Sequence, residues 1–163
     1  ERQVIFMSGY YLNATICLNG HVVSSTKAEY TPFCDTCGKA TISICSNCSS
    51  PIRGDYEVPG VAAIGFPYHK PSYCYNCGYP FPWTEQLINN AVELIALDEE
   101  LTDEQKEILK NALPDLIVET PSTPVATAKY KKFISKAASY IQDGLKNLLI
   151  DVVSETVKKS LWG

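Results

Sequence analysis

Three Cys-x-x-Cys pairs and one Cys-x-x-x-His carry the chemistry of this chain: Cys17 with His21, Cys34 with Cys37, Cys45 with Cys48, and Cys74 with Cys77. Thiolate sulfur with an imidazole suits zinc, which takes four such ligands in a tetrahedron. A single pair supplies two ligands, so each pair needs another to close a site. Eight candidates fill two four-coordinate sites and leave none of the seven cysteines over. The short turn in each pair lets both sulfurs reach one ion, and the amides that follow can donate to the sulfurs. Gly38 and Gly78 directly follow their pairs, where a positive φ is expected. His69 could stand in for a cysteine, but it reads better as an ordinary loop histidine.

An odd cysteine count would leave a disulfide framework with one thiol unpaired. The opening residues, Glu1-Arg2-Gln3-Val4-Ile5-Phe6-Met7, show neither the long apolar stretch nor the cleavage site of a secretory signal. Paired cysteines without such a signal point to metal in a reducing compartment. The expected location is cytoplasmic, and no apolar run reaches the ~18 residues of a membrane span. Enzymatic activity is not expected. A catalytic zinc keeps one position open for water, and eight ligands for two sites leave none open. No phosphate-binding loop or dinucleotide fingerprint appears, and Asp35, Asp55 and Glu57 near the pairs read as surface carboxylates.

The elements that must position these ligands change character along the chain. Residues 1–82 hold every cysteine, both histidines and seven of the ten prolines. Short β-prone pieces alternate with turns there: Val4-Ile5-Phe6, Tyr10-Tyr11-Leu12, His21-Val22-Val23 and Thr41-Ile42-Ser43-Ile44. So little apolar bulk leaves metal to supply much of the stability. After Pro80-Phe81-Pro82-Trp83-Thr84 the pattern turns helical, and residues 83–163 are expected to form a helical region. Thr84 is the expected N-cap of a helix carrying Leu87, Ile88, Ala91, Val92 and Ile95. Thr102-Asp103-Glu104-Gln105 is a capping box that starts a second helix, which Pro114 should bound or kink. Residues 119–125 read as a linker. From about Ala126 to Leu161 one apolar stripe runs from Tyr130 to Val153, with Gly144 as an expected kink or division.

Net charge is −4, which weighs against a nucleic-acid partner. The charge is uneven. Ten acids face Lys106 and Lys110 over residues 84–119, whereas seven lysines face three acids over residues 120–163. Complementary helix packing or solvated faces account for this; a basic final helix on an acidic partner or an anionic surface is the sharper reading.

The motif Cys17-Leu18-Asn19-Gly20-His21 followed by Phe33-Cys34-Asp35-Thr36-Cys37-Gly38 resembles the zinc-ribbon pattern C-x-x-G-H…F-C-x-x-C-G. Cys45-Ser46-Asn47-Cys48 with Cys74-Tyr75-Asn76-Cys77-Gly78 resembles a second ribbon. The residues alone permit two ligand pairings, sequential or cross-braced as in a RING, and the resemblance favours the sequential one. The whole chain, with Pro82-Trp83 after the last pair and Ser154-Glu155-Thr156-Val157-Lys158-Lys159 near its end, resembles an uncharacterised family of small bacterial proteins. That resemblance implies an N-terminal double zinc ribbon and a helical C-terminal region, hence an α+β chain, and carries no activity with it. His21 stands where most ribbons have a cysteine. The interval from Cys48 to Cys74 is also long, and is either a binding surface or a β-hairpin packed on the helices.

The expected function is therefore a non-enzymatic adaptor that holds two Zn2+ ions and binds a macromolecular partner, most readily a protein. The helices offer a face for self-association. Nucleic-acid binding is the alternative, drawing on Lys27, Lys39, Arg53 and Lys70 beside Tyr30, Phe33, Tyr68, Tyr73 and Tyr75. Residues 1–83 balance to zero charge, so these aromatics are expected instead to cover the small metal core.

Overall fold

The computed structural model describes residues 8–28, 31–62 and 65–163; the strand expected at Val4-Ile5-Phe6 and the aromatic Tyr30 lie outside them. The chain divides into two compact units, Glu1–Glu85 and Gln86–Gly163. Short strands come first and five helices follow among the described residues, so the class is α+β.

The described residues of the first unit form two small antiparallel sheets. In one, β1 (Tyr10–Asn13) pairs with the later strand β5 (Arg53–Glu57), Tyr11 facing Tyr56. In the other, β2 (Thr15–Cys17) lies between β3 (Val22–Ser24) and β4 (Thr41–Ile42). Among the described residues the interval after Cys48 forms no hairpin of its own, one of the two expectations for it: Arg53–Glu57 pairs back with β1. Ser43 and Ile44 fall outside β4, and Ile44 only bridges to Pro51. The buried core of this unit is Ala14, Ile16, Ile52, Phe81 and Trp83 together with the ligand candidates Cys45 and Cys74. Five apolar side chains are a small core for a region this size, so the sulfur clusters form part of what holds it.

The second unit has an ordinary helical core of sixteen buried residues. Helix α1 (Pro82–Leu97) opens on a proline, whose fixed φ and missing N–H suit a first helical position. Thr84 is therefore not its cap. The Phe81 carbonyl accepts from Thr84 N (3.0 Å) and Glu85 N (3.1 Å), while the buried Thr84 hydroxyl donates to Ser72 O at 2.8 Å. Helix α2 (Asp103–Ile117) starts with the anticipated capping box. Gln105 N donates to Thr102 Oγ1 (3.2 Å) and Thr102 N to Gln105 Oε1 (3.1 Å). Pro114 does not bound α2, which runs on so that Leu116 and Ile117 reach the core.

The linker expected over 119–125 is shorter. Helix α3 (Thr123–Ile134) begins inside it, with Pro124 in the first turn and Thr123 buried. The long stripe after it is broken twice, into α3, α4 (Ser139–Leu149) and α5 (Glu155–Trp162). Neither break is at Gly144, which lies within α4. A Cβ there would sit 3.3 Å from Leu94, so that glycine serves a close approach rather than a kink. The true breaks are fixed by caps. Ser154 Oγ accepts from Val157 N at 3.3 Å to start α5. The buried Asp98 accepts from Ala138 N at 2.8 Å just before α4, and from Glu100 N (2.9 Å) and Leu101 N (2.7 Å) just after α1. The ion pairs of the helical unit, Glu107–Lys110 and Glu155–Lys158, each lie within one helix, which agrees with solvated charged faces. No helix among the described residues is long and apolar enough to cross a membrane.

Two candidate metal centres

The three Cys-x-x-Cys segments fold alike. In each, the residue after the second cysteine donates its N–H to the first cysteine's carbonyl: Gly38 to Cys34 (2.8 Å), Ser49 to Cys45 (2.8 Å) and Gly78 to Cys74 (2.9 Å). The first cysteine's N–H in turn reaches Lys39 O (2.8 Å), Ser50 O (2.8 Å) or Tyr79 O (2.9 Å). The turn needs a left-handed residue at its end. Gly38 and Gly78 supply it at φ 72°, as expected, and Ser49 adopts the same conformation at φ 63°. A bridge closes each turn: Phe33 with Ala40, Ile44 with Pro51, and Tyr73 with Pro80. The fourth turn is a variant. Gly20, at φ 88°, donates to Cys17 O (2.8 Å), and a Cβ on it would come within 2.9 Å of Trp83.

All eight candidate ligands are brought together in two groups: Cys17, His21, Cys34 and Cys37, and Cys45, Cys48, Cys74 and Cys77. The grouping is sequential, not cross-braced. Strand pairing explains the first group: Cys17 faces Thr41 across β2 and β4, which delivers the turn at 34–37 to the end of β2. Buried bonds place the third turn, for Trp83 Nε1 donates to Pro71 O (2.9 Å) and Thr84 to Ser72 O (2.8 Å) immediately before it. His69 is exposed and lies in neither group.

The spacing fits a tetrahedral ion. Bonds of about 2.3 Å to sulfur and about 2.0 Å to nitrogen put neighbouring sulfurs about 3.8 Å apart and sulfur about 3.5 Å from nitrogen. Cys17 and Cys37 sulfurs are 3.7 Å apart, Cys45 and Cys77 3.7 Å, and Cys48 and Cys74 3.6 Å. His21 presents Nδ1 to Cys17 at 3.5 Å and to Cys34 at 3.8 Å. The ligand atoms of each group lie within 4.8 Å of one another, and every cysteine is a free thiol.

The thiols of each group differ in acidity. Burial pushes Cys34 up, but the N–H groups of Cys37 and Thr36 and the neighbouring sulfurs bring it down to about 7. The Ser50 hydroxyl, then the Ser50 N–H and the Asn76 side chain, draw Cys48 down to about 6. Burial first, and then the neighbouring Cys48 and Cys45, raise Cys74 to about 11 against the amides of Cys77 and Asn76. Burial likewise raises Cys17. Three thiolates in the first group and four in the second repel one another at this spacing, so some keep their protons unless a cation replaces them. A divalent ion supplies that charge to either group.

One protein family, described as "Uncharacterized protein conserved in bacteria (DUF2321)", matches residues 10–161 of the chain. The chain belongs to this family. No curated protein and no solved structure matches it significantly. This DUF2321 protein thus has two ligand clusters in its N-terminal region, followed in sequence by a helical region.

Two residues around the second cluster were not singled out from the sequence. The Asn47 side chain lies where it lowers Cys77, and the Asn76 side chain is one of the groups that lower Cys48. Each of the paired turns thus favours the thiolate of the other. The signal was present in the shared pattern Cys-x-Asn-Cys at 45–48 and 74–77; the first cluster has Thr36 at that place. Of the aromatics expected to cover the core of this DUF2321 chain, Phe33, Tyr73 and Tyr75 are exposed, and among the described ones only Tyr68 packs against it. Each turn carries one large apolar residue just before its first cysteine (Phe33, Ile44 and Tyr73), and all three face solvent because the cysteine that follows each is the side chain turned inward.

Proposed function

We propose that this DUF2321 protein is a non-enzymatic adaptor that carries one structural Zn2+ in each cluster and binds a protein partner through the surface those sites hold rigid. The observation that carries the reading is the completeness of both ligand sets. Four thiolate or imidazole donors at tetrahedral spacing leave no position for a reacting water. Seven free thiols fit a reducing compartment such as the cytoplasm. Exposed aromatics over the metal turns, Phe33, Tyr73, Tyr75 and Tyr79, are the kind of side chain that anchors protein interfaces. The exposed Leu97, Val125 and Tyr140 of the helical unit offer further apolar side chains to a partner or another copy of the chain.

In-cell crosslinking of zinc-loaded protein, followed by mass spectrometry, tests the adaptor reading. Crosslinks from the first unit to a specific protein are expected, and they disappear when Cys37→Ser removes a ligand. Turnover of any small molecule that depends on the clusters would contradict it. Single-stranded nucleic acid is the second reading, favoured by Arg53, whose guanidinium lies over the Tyr11 ring at 4.3 Å and the Tyr75 ring at 4.0 Å. A salt titration separates the two, because nucleic-acid binding weakens steeply as salt rises.

A further inference from the structure

A groove of about 790 Å³ in the first unit has no cluster ligand in its lining. It is lined by the whole of β5, by Tyr11 of β1, and by residues 66–69. We propose that this groove binds a proline-rich segment of a protein partner in the polyproline II conformation, with a basic residue at one end. The proposal rests on the adaptor reading and names the partner's chemistry.

Three observations select that occupant. The first is the wall. Tyr11 and Tyr56 face each other across β1 and β5 with ring centroids 5.0 Å apart, edge to face, and each is about half exposed, at 50% and 52%. Tyr68 is held beside them by its hydroxyl, which donates to Arg53 O at 2.6 Å. Rigid aromatic ridges of this kind receive prolines, whose rings lie flat on them. Length agrees as well. Five residues of strand span about 17 Å, which corresponds to about five residues of polyproline II.

The second observation is that the edge of β5 away from β1 is obstructed at its centre. Asp55 N donates to Ser25 O at 2.8 Å, and that carbonyl lies so close that a Cβ on Gly54 would meet it at 2.0 Å. An extended peptide therefore cannot lay a continuous ladder along β5 without displacing residue 25. A polyproline II segment makes no ladder bonds of its own, and its prolines carry no N–H to leave unsatisfied.

The third is charge. Asp55 and Glu57 line the groove, Asp55 accepting from Ser25 Oγ at 2.6 Å yet keeping its charge, while Arg53 is engaged by the Tyr11 and Tyr75 rings. This balance disfavours a phosphate backbone and favours a basic residue beside the prolines.

Isothermal titration of the zinc-loaded full chain tests the proposal, with backbone amide shifts recorded in parallel. The probes are a peptide of Pro-Pro-Ala triplets ending in two arginines, the same peptide ending in two glutamates, a Gly-Ser peptide ending in two arginines, and a ten-nucleotide oligo-dT. The arginine-ended proline peptide is expected to bind and to shift residues 53–58 and 66–69. Tyr56→Ala should weaken it at least about tenfold. Glu57→Lys, at an exposed position where folding is undisturbed, should weaken it several-fold and improve the glutamate-ended peptide. No binding by the proline peptide, equal binding by the Gly-Ser peptide, or tighter binding by oligo-dT each overturns the proposal. A crosslinked partner that survives Tyr56→Ala and Glu57→Lys also overturns it, and leaves the adaptor reading standing.

Discussion

Ser49 occupies a place its two counterparts give to glycine, and exchanging it should strengthen the second cluster. Its φ is 63°, against 72° for Gly38 and Gly78. A side chain in this left-handed region costs about 1–2 kcal/mol, while glycine costs about 0.5–1 kcal/mol more than alanine in lost unfolded-state freedom. A Cβ at Gly38 or Gly78 would meet nothing within 4 Å, so backbone strain is the whole of the difference at these turns. Ser49→Gly should therefore stabilise the metal-bound form by about 0.5–1 kcal/mol, and Gly38→Ala should destabilise it by a similar amount. That is about a two- to five-fold change in the chelator concentration needed to strip half the zinc. Competition with a colorimetric chelator, in the presence of a reductant, measures it. Opposite signs for the two variants are expected; a loss of zinc affinity in Ser49→Gly would refute the equivalence of the three turns.

The helical unit should respond to Asp98. Burial raises its carboxyl, but the N–H groups of Ala138, Leu101 and Glu100, with Lys106 nearby, outweigh burial and hold it below the ordinary carboxylate range. Asp98→Asn turns an amide N–H toward one of those donors and should cost about 1–3 kcal/mol at neutral pH. Because the folded group titrates lower than the unfolded one, its contribution is full above the unfolded value of ~3.9 and is lost as pH falls through the folded value. Thermal melts of both proteins between pH 7 and pH 2 should converge at the acid end; a constant gap would contradict this. Gly144→Ala should raise the melting temperature modestly. Helix propensity improves by about 1 kcal/mol, and the flexible end of the half-buried Leu94 can yield the few tenths of an ångström required; a fall in melting temperature would show that it cannot. Chelation under reducing conditions should abolish amide dispersion from the first unit, whose core has five apolar residues besides its cysteines, while helical circular dichroism from the sixteen-residue core largely persists. Loss of both together would mean that the units do not stand independently.

The ligands were legible in the sequence because a Cys-x-x-Cys turn is a local object, set by two residues and the glycine behind them. Their grouping was open from the residues alone, since it depends on β2 pairing with β4 across the turn at 34–37; the sequential grouping that the ribbon resemblance favoured is the one the structure has. The capping box at Thr102 was equally local and was read correctly. Asp98 looked like one solvated acid among ten, for its decisive partner, Ala138, lies forty residues further along the chain. The helix breaks it helps to fix were therefore misplaced onto Gly144. Thr84 was misread for a related reason: Pro82 had already begun the helix, and the threonine hydroxyl serves a loop twelve residues back. The exposed aromatics were misread because a small core seemed to need them, whereas the cysteines themselves take that interior place.

Native mass spectrometry of reduced protein purified with its own metal tests the central claim most directly. Two closed four-ligand sites predict one dominant species carrying two zinc ions per chain. A single ion, an iron–sulfur cluster, or a metal-free folded chain would contradict it.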